Sequence, residues 1–363
     1  MFRPSRTALA ATALSLAASV FAMPVAAYAA DTTTNLSATQ MAAALKTVAT
    51  TSTAAAAGGW QTTIGLTGFL SLTGSSVVDT QHKTAVTRVR FEDELMIAYV
   101  AGGRGAYLNL GEPDQRAAVQ MMGRPEVKFV FAADPTLNFD TLMKENGPGS
   151  VLADSSHAGT KTVHDDGSAD YRFTGSSGEM YTFRVATSGS LTRAHVAADG
   201  LAMTQSFVYG PQTVTLPAAA ITISAATLNR GVAYLHMSDA VRAVAKGGAE
   251  VVRGKAHGRR VKVSSLRKII KHDAKVFNTK LQVKLVKVKN IRRGVKVYAK
   301  NPWTHKTVSY TVKAFGRKVV VRKTKAAAAG LAAVQAAGTA HHLPADLPAG
   351  WLDGLFAAAV AGK

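Results

Sequence analysis

Alternation of apolar and polar positions divides the chain into a long β-patterned stretch after one helix and a shorter one after two. Over residues 35–50, Leu36, Met41, Ala44, Leu45 and Val48 fall on one side of a helix, which Gly58 and Gly59 end. From 60 to 73 the even positions read Trp60, Thr62, Ile64, Leu66, Gly68, Leu70 and Leu72. The odd positions are mostly polar, so the period of two predicts a single long, half-buried strand. Further strands are expected at 85–91, 95–100 and 106–110, the last two joined across the turn from Gly102 to Gly105. A strand over 126–131 places Val127, Phe129 and Phe131 on one face, and a short helix is expected at 139–144. His164 to Gly167 reads as a hairpin turn leading into Tyr171, Arg172 and Phe173. Alternating segments at 180–185, 191–197 and 201–209 are separated by Ser188-Gly189 and Asp199-Gly200, where Gly supplies the positive φ of a tight hairpin. The result is a curled sheet or open barrel of about eight to ten antiparallel strands behind one helix.

The second stretch begins at Ser238-Asp239, which can cap a helix carrying Val241, Val244, Ala245, Gly248, Val251 and Val252. Ser264 or Ser265 can cap another, with Leu266, Ile269, Ile270 and Phe277 on one face. Leu281, Val283 and Leu285 then alternate as a strand, with a phase shift at Val286 and Val288 that suggests a bulge. Val295, Val297 and Ala299 oppose Lys296, Tyr298 and Lys300; Val308, Tyr310, Val312 and Ala314 oppose Thr307, Ser309, Thr311 and Lys313. A short strand at 318–322 closes the set. The expected fold class is therefore α+β: an N-terminal helix with a curled antiparallel open-barrel sheet (31–220), then a small basic α+β domain of helices packed on an antiparallel sheet (238–325). An Ala- and Gly-rich tail (326–363) reads equally as a free tail or a docking strip.

Charge sharpens this division. Of 43 Lys and Arg, 24 lie between Val251 and Lys325, against the single acid Asp273; the rest of the chain holds 19 basic and 21 acidic residues. One segment thus carries the whole excess of +21, which points to a polyanionic partner. It contains 16 Lys to 8 Arg, a balance that favours diffuse contacts over bidentate reading of bases. No helix-turn-helix, zinc-finger or RNA-binding signature is present, which disfavours sequence-specific nucleic acid. Candidate contacts are Lys268, Lys271, Lys284, Lys287, Lys296, Tyr298, Lys300 and Lys313. The expected partner is an anionic cell-wall polymer or anionic lipid headgroups.

At the other end, Arg3 and Arg6, an apolar run to Ala22 and the Ala27-Tyr28-Ala29 site have the order of a secretory signal peptide over 1–29. The expected location is secreted or extracytoplasmic, at the cell envelope. The absence of cysteine excludes disulfides, thiolate metal sites and a lipidated cysteine, so the mature chain is expected to be non-lipidated.

With its opening helix, long alternating strand, Gly-marked hairpins and closing segment Phe207 to Pro217, the span 31–217 resembles a known family. It is similar to the exported lipid-carrier fold shared by the LolA-like lipoprotein carriers and the mycobacterial LppX/LprG-type lipoproteins. The resemblance implies an unclosed barrel whose inner face offers a pocket to acyl lipid or another hydrophobic small molecule. Alternation then nominates Ile64, Leu66, Leu70, Leu72, Met96, Phe129, Phe131, Tyr181, Phe183 and Phe207 as lining. The same residues would equally serve as a filled core.

Chemistry is sparse. Ser155-Ser156-His157 and His164-Asp165-Asp166 could belong to a hydrolase, but no G-x-S-x-G or H-E-x-x-H motif occurs. His157, His164 and His195 read as surface histidines. The chain is therefore expected to be a non-enzymatic binding protein without a cofactor or metal. The alternatives are an envelope-binding scaffold with no lipid and, third, an unrecognised hydrolase.

Overall fold

The computed structural model describes residues 31–68, 71–152 and 157–324. The expected signal peptide, Leu70, Ser155 and Ser156, and the tail from 326 lie outside them. A short strand, β1 (Thr32–Leu36), precedes helix α1 (Ala38–Ala55). Five strands follow in a meander: β2 (Trp60–Thr67), β3 (Leu72–Asp79), β4 (Thr84–Phe91), β5 (Glu94–Ala101) and β6 (Gly105–Asn109). Then come α2 (Pro113–Met121), β7 (Phe129–Ala133) and α3 (Phe139–Asn146). A second meander comprises β8 (Gly159–Val163), β9 (Ala169–Thr174), β10 (Met180–Val185), β11 (Leu191–Ala198) and β12 (Leu201–Tyr209). With β13 (Thr222–Ser224) these make one 13-stranded sheet of order β1-β8-β9-β10-β11-β12-β2-β3-β4-β5-β6-β7-β13. It is open at β1 and β13, and every pairing is antiparallel except that of β13 with β7.

Several sequence expectations change here. Residues 60–73 are not one strand: the chain folds back at Gly68, whose φ is 139°, and Leu66 pairs with Leu72. Even positions pair with even positions across this hairpin, so the alternation runs through the turn and hides it. Residues 35 and 36 belong to β1. The helix starts only after Ser37, whose hydroxyl accepts from the Gln40 N–H while the Gln40 side chain accepts from the Ser37 N–H. Val127 lies ahead of β7 and packs with Val119 and Ile223, so it does not share a face with Phe129 and Phe131. α2 was not foreseen, and Gly210 to Pro217 leave the sheet instead of closing it.

Directly paired residues share a face. Tyr209, Trp60, Val78, Ala85 and Val100 form one such rank, so they lie on the same side of β12, β2, β3, β4 and β5. On that side α1 covers β9 to β12, burying Met41, Leu45 and Val48 against Tyr171, Phe183, Leu191 and Phe207. α3 covers Trp60 and Val78 through Phe139 and Leu142. α2 packs Ala118 and Val119 with Val130 and Ile223, together with α4 (Ala225–Leu235). All four helices on this sheet therefore occupy one face.

The second sheet, β14 (Lys287–Ile291), β15 (Gly294–Lys300), β16 (Thr307–Phe315) and β17 (Lys318–Lys323), is antiparallel throughout. Helices α5 (Met237–Ala256) and α6 (Val263–Lys280) pack on one side of it. Val295, Val297, Ala299 and Val312 are fully buried there with Val241, Leu266 and Ile270. The strand expected at 281–285 is a turn followed by extended chain; the alternation there packs Leu285 beneath α6 without pairing it. Val251 is exposed, and none of the serines expected as caps is used: α5 follows directly on α4, and α6 begins after Lys262. The two halves meet where Asn301 Nδ2 donates to Met121 Sδ (3.0 Å) and Tyr234 packs edge-on against Trp303 (5.6 Å).

One buried serine ties α1 to the sheet. Ser52 Oγ donates to Val48 O (2.6 Å) and accepts the Leu191 N–H (2.9 Å), next to the bulge that shifts the β10–β11 register. Tyr209 Oη donates to Leu191 O (2.6 Å). Ser52→Ala strands that buried amide and is expected to cost about 2 kcal/mol in urea unfolding. Thr47→Ala, which removes only an exposed bond to Ala43 O, should change stability by less than about 0.5 kcal/mol.

Candidate ligand-binding face and basic surface

The helices do not cover the whole face on which they sit. Two ranks of paired residues lie beyond them, toward the far ends of β12, β2, β3, β4 and β5. One runs Val196, Met203, Leu66, Leu72 and Phe91; the other runs Ala194, Gln205, Ile64, Gly74, Val89 and Met96. Phe91 is 40% and Met96 38% exposed; Ile64, Leu66, Leu72, Val89, Val196 and Met203 are half-buried. Phe207 and Phe183, by contrast, are buried beneath α1. One apolar face is thus dry core at one end and open at the other.

The structure brings together Ile64, Leu66, Leu72 and Met96 of the expected lining. Tyr181 borders them, in rank with Val196 and stacked on Phe173 at 4.8 Å. Phe183 and Phe207 share the face but belong to the covered core. Phe129 and Phe131 project from the opposite face, against Tyr99 and Tyr107 at 5.6 and 4.6 Å. Leu70 lies outside the described residues. The sequence reading missed Val89, Phe91, Val196 and Met203: each lies on an alternating strand, but only the register shows which strands adjoin.

The second sheet shows the opposite chemistry on the side its helices leave free. Register places Lys287, Lys289, Lys296, Tyr298, Lys300, Lys313, Lys318 and Arg322 on that side. Lys289 pairs directly with Lys296, a like-charge juxtaposition that destabilises a sheet without counter-charge. Lys296 Nζ lies 5.9 Å from the Tyr298 ring. No Asp or Glu occurs between Ala274 and Thr324. The remaining candidates sit apart: Lys268 and Lys271 are exposed on α6, and Lys271, Lys275 and Lys284 rim an open cavity of about 570 Å³ floored by Ala274, Val283 and Val286. Lys289, Lys318 and Arg322 escaped the sequence reading because their common face depends on register.

Among the described residues no group of three or more His, Asp or Glu is placed to hold a metal ion, and no helix is long and apolar enough to cross a membrane. His157 stacks on Phe173 at 5.9 Å, and His195 Nδ1 lies 2.9 Å from Thr204 Oγ1. His164 joins a charge cluster. Its Nδ1 is 2.9 Å from Asp31, and its Nε2 is 3.3 Å from the buried Asp170, which also accepts two bonds from Arg184 (2.8 and 3.0 Å). Burial works to raise the Asp170 carboxyl, but the bonds and charge of Arg184, then those of His164, outweigh it and hold the group below its ordinary range. The bond to Asp31 raises His164.

No family model matches the chain, and no curated protein matches it in sequence. Among solved structures it is similar to the Mycobacterium tuberculosis lipoprotein LppX, at 11% identity over 48% of this chain and 99% of that one, with a TM-score of 0.29. It is also similar to LprF from Mycobacterium bovis, at 15% identity over 48% of this chain and 96% of that one, with a TM-score of 0.26.

The charge cluster makes stability depend on pH from both sides. Asp170, held low, contributes above the ordinary carboxylate range near pH 4, and its contribution is lost as pH falls through the lowered value. His164, held high, contributes below about pH 6.5 and loses its contribution as pH rises through the raised value. Urea midpoints should therefore be highest between these limits. Asp170→Asn should flatten the acid limb and cost about 2 kcal/mol at pH 6, a figure discounted because Arg184 is half exposed.

Proposed function

We propose that this chain is a non-enzymatic, exported binding protein that holds a hydrophobic small molecule, acyl lipid above all, on the open end of the helix-bearing face. The carrying observation is the uncovered rank of Leu66, Leu72, Phe91 and Met203 with Val89 and Met96 beside it. These residues continue a buried core into solvent. Water-exposed apolar surface contiguous with a core marks a place of binding. Each methylene of an acyl chain laid on it gains about 0.8 kcal/mol.

The second sheet would dock the protein to phosphate-bearing anionic matter of the envelope. Its free face carries seven Lys or Arg, and the adjacent lysine pair gains from an external counter-charge. A second reading, a scaffold that binds polyanions and no lipid, is favoured by Phe183 and Phe207, which show that the α1 half of the large sheet is solid.

Native mass spectrometry of protein purified from its host, with solvent extraction, tests the first part. Wild-type protein should carry acyl lipid, and Leu66→Arg with Met203→Arg should abolish it without unfolding the chain. A ligand-free wild type would leave the scaffold reading. For docking, co-sedimentation with phosphatidylglycerol vesicles should be strong at low salt and lost near 0.5 M, where the Debye length falls to about 4 Å. Replacing Lys287, Lys289 and Lys296 by Gln should weaken it roughly a hundredfold, at about 1 kcal/mol per lysine. Binding to soluble polyphosphate with none to vesicles would assign the surface to an anionic polymer.

A further inference from the structure

The small basic sheet has an outer edge that no described strand covers. β14 pairs with β15 on one side and stands last in the order β14-β15-β16-β17. Ile291 and Gly294 close a two-residue hairpin, so that pair, Lys289 with Lys296 and Lys287 with Tyr298 exchange the ladder bonds. The alternate residues, Val288 and Asn290, therefore aim N–H and C=O outward. The segment just ahead of β14 shows the same direction. Val286 gives its N–H to Asn278 Oδ1 (2.9 Å), and its carbonyl accepts from Asn278 Nδ2 (2.8 Å). One side-chain amide of α6 thus stands where a neighbouring strand's peptide group would, and the edge beyond it is bare among the described residues.

The cavity of about 570 Å³ lies along this edge. Val286 and Val288 on the strand side and Ala274 on α6 give it an apolar floor, and Lys271, Lys275 and Lys284 rim it. Asp273, the only acid between Val251 and Lys325, lies against Gly248 and so on the side of α6 turned to α5. Lys287 and Lys289 line the same edge from the free side of the sheet. Lysines on an edge strand ordinarily repel pairing between copies of one chain. Two copies joined here would set their β14 lysines side by side, a like-charge contact that disfavours self-assembly. An acidic strand meets the same charges as attraction, and its backbone finds the free N–H and C=O groups of Val288 and Asn290.

We propose that the β14 edge is a docking groove for an extended acidic segment of another protein, which adds as a fifth strand to the basic sheet. Residues paired with Val288 and Asn290 share their face, so apolar side chains there enter the cavity toward Ala274. The alternate, acidic side chains lie beside Lys287 and Lys289. Main-chain bonds supply the affinity, and the lysines select for charge. This docking requires neither a ligand on the large sheet nor a lipid surface.

The test uses the full-length protein and the fluorescein-labelled peptide Glu-Val-Glu-Val-Glu-Val-Glu, read by fluorescence anisotropy at low salt. The parent peptide should bind. N-methylation of its valines, whose N–H groups face β14, should weaken it about thirtyfold, as two lost hydrogen bonds imply. N-methylation of the two internal glutamates, whose N–H groups face away, should leave affinity within about threefold. Asn290→Pro removes an outward N–H but no ladder bond, so it should weaken binding about tenfold with the fold intact by circular dichroism. Lys271→Gln with Lys275→Gln and Lys284→Gln should also weaken it about tenfold, and the peptide series decides the matter if the proline variant misfolds. Equal binding of all three peptides overturns the added strand and leaves only charge attraction. Displacement of the parent by phosphatidylglycerol vesicles alongside that result gives the groove to lipid headgroups. A parent peptide that does not bind, or two N-methylated series that fall together, overturns the proposal.

Discussion

A sheet of 13 strands presents an apolar face far wider than four short helices can cover, and most features of the larger half follow from that mismatch. α1 spends its buried stripe on β9 to β12, α3 on the near ends of β2 to β5, and α2 with α4 on β7 and β13. Among the described residues, no helix packs on the far ends of β2 to β5 and β12. Alternation nevertheless continues along those strands, because each residue's face follows from the pleat. The apolar side chains therefore emerge from the core into a half-buried to exposed surface.

The covered half is held by few but costly polar contacts. Leu191 is fully buried, and both its backbone groups are satisfied by side chains, its N–H by Ser52 and its carbonyl by Tyr209. That arrangement fixes α1 at the bulge where the ladder alone would leave the amide unpaired. On the opposite face, Asp170 draws Arg184 and His164 together, and His164 reaches Asp31 just ahead of the edge strand β1.

The two halves divide the physical tasks. The larger sheet excludes water from one face, whereas the smaller buries one face and loads the other with cations that repel each other. Between them, α4 packs on α2 through Leu228 and Val232, and its last turn delivers Tyr234 to Trp303, with Arg230 lying 5.5 Å over the indole. The linkage therefore runs through apolar and cation–π contacts, with the Asn301–Met121 hydrogen bond beside them.

Sequence alone determined the features that depend on neighbours within a few residues. These include the strands at 84–91, 180–185, 191–198, 201–209 and 294–300, the hairpin turns at Gly167, Gly189 and Gly200, and the concentration of charge after Val251. Period-two burial and positive-φ turns are local consequences of backbone sterics, so they can be read in one dimension. The hairpin inside 60–73 was invisible because its register preserves parity. α2 was hidden because Ala118 and Val119 are apolar only over a single turn. Which residues share a site was decided by register between strands distant in sequence. Pairing β12 with β2 set Met203 beside Leu66, the β6–β7 ladder put Phe129 and Phe131 on the other side, and the β14–β15 ladder put Lys289 opposite Lys296. The alternation fixes two faces for each strand, but only the paired sheet decides which face of one strand adjoins which face of the next.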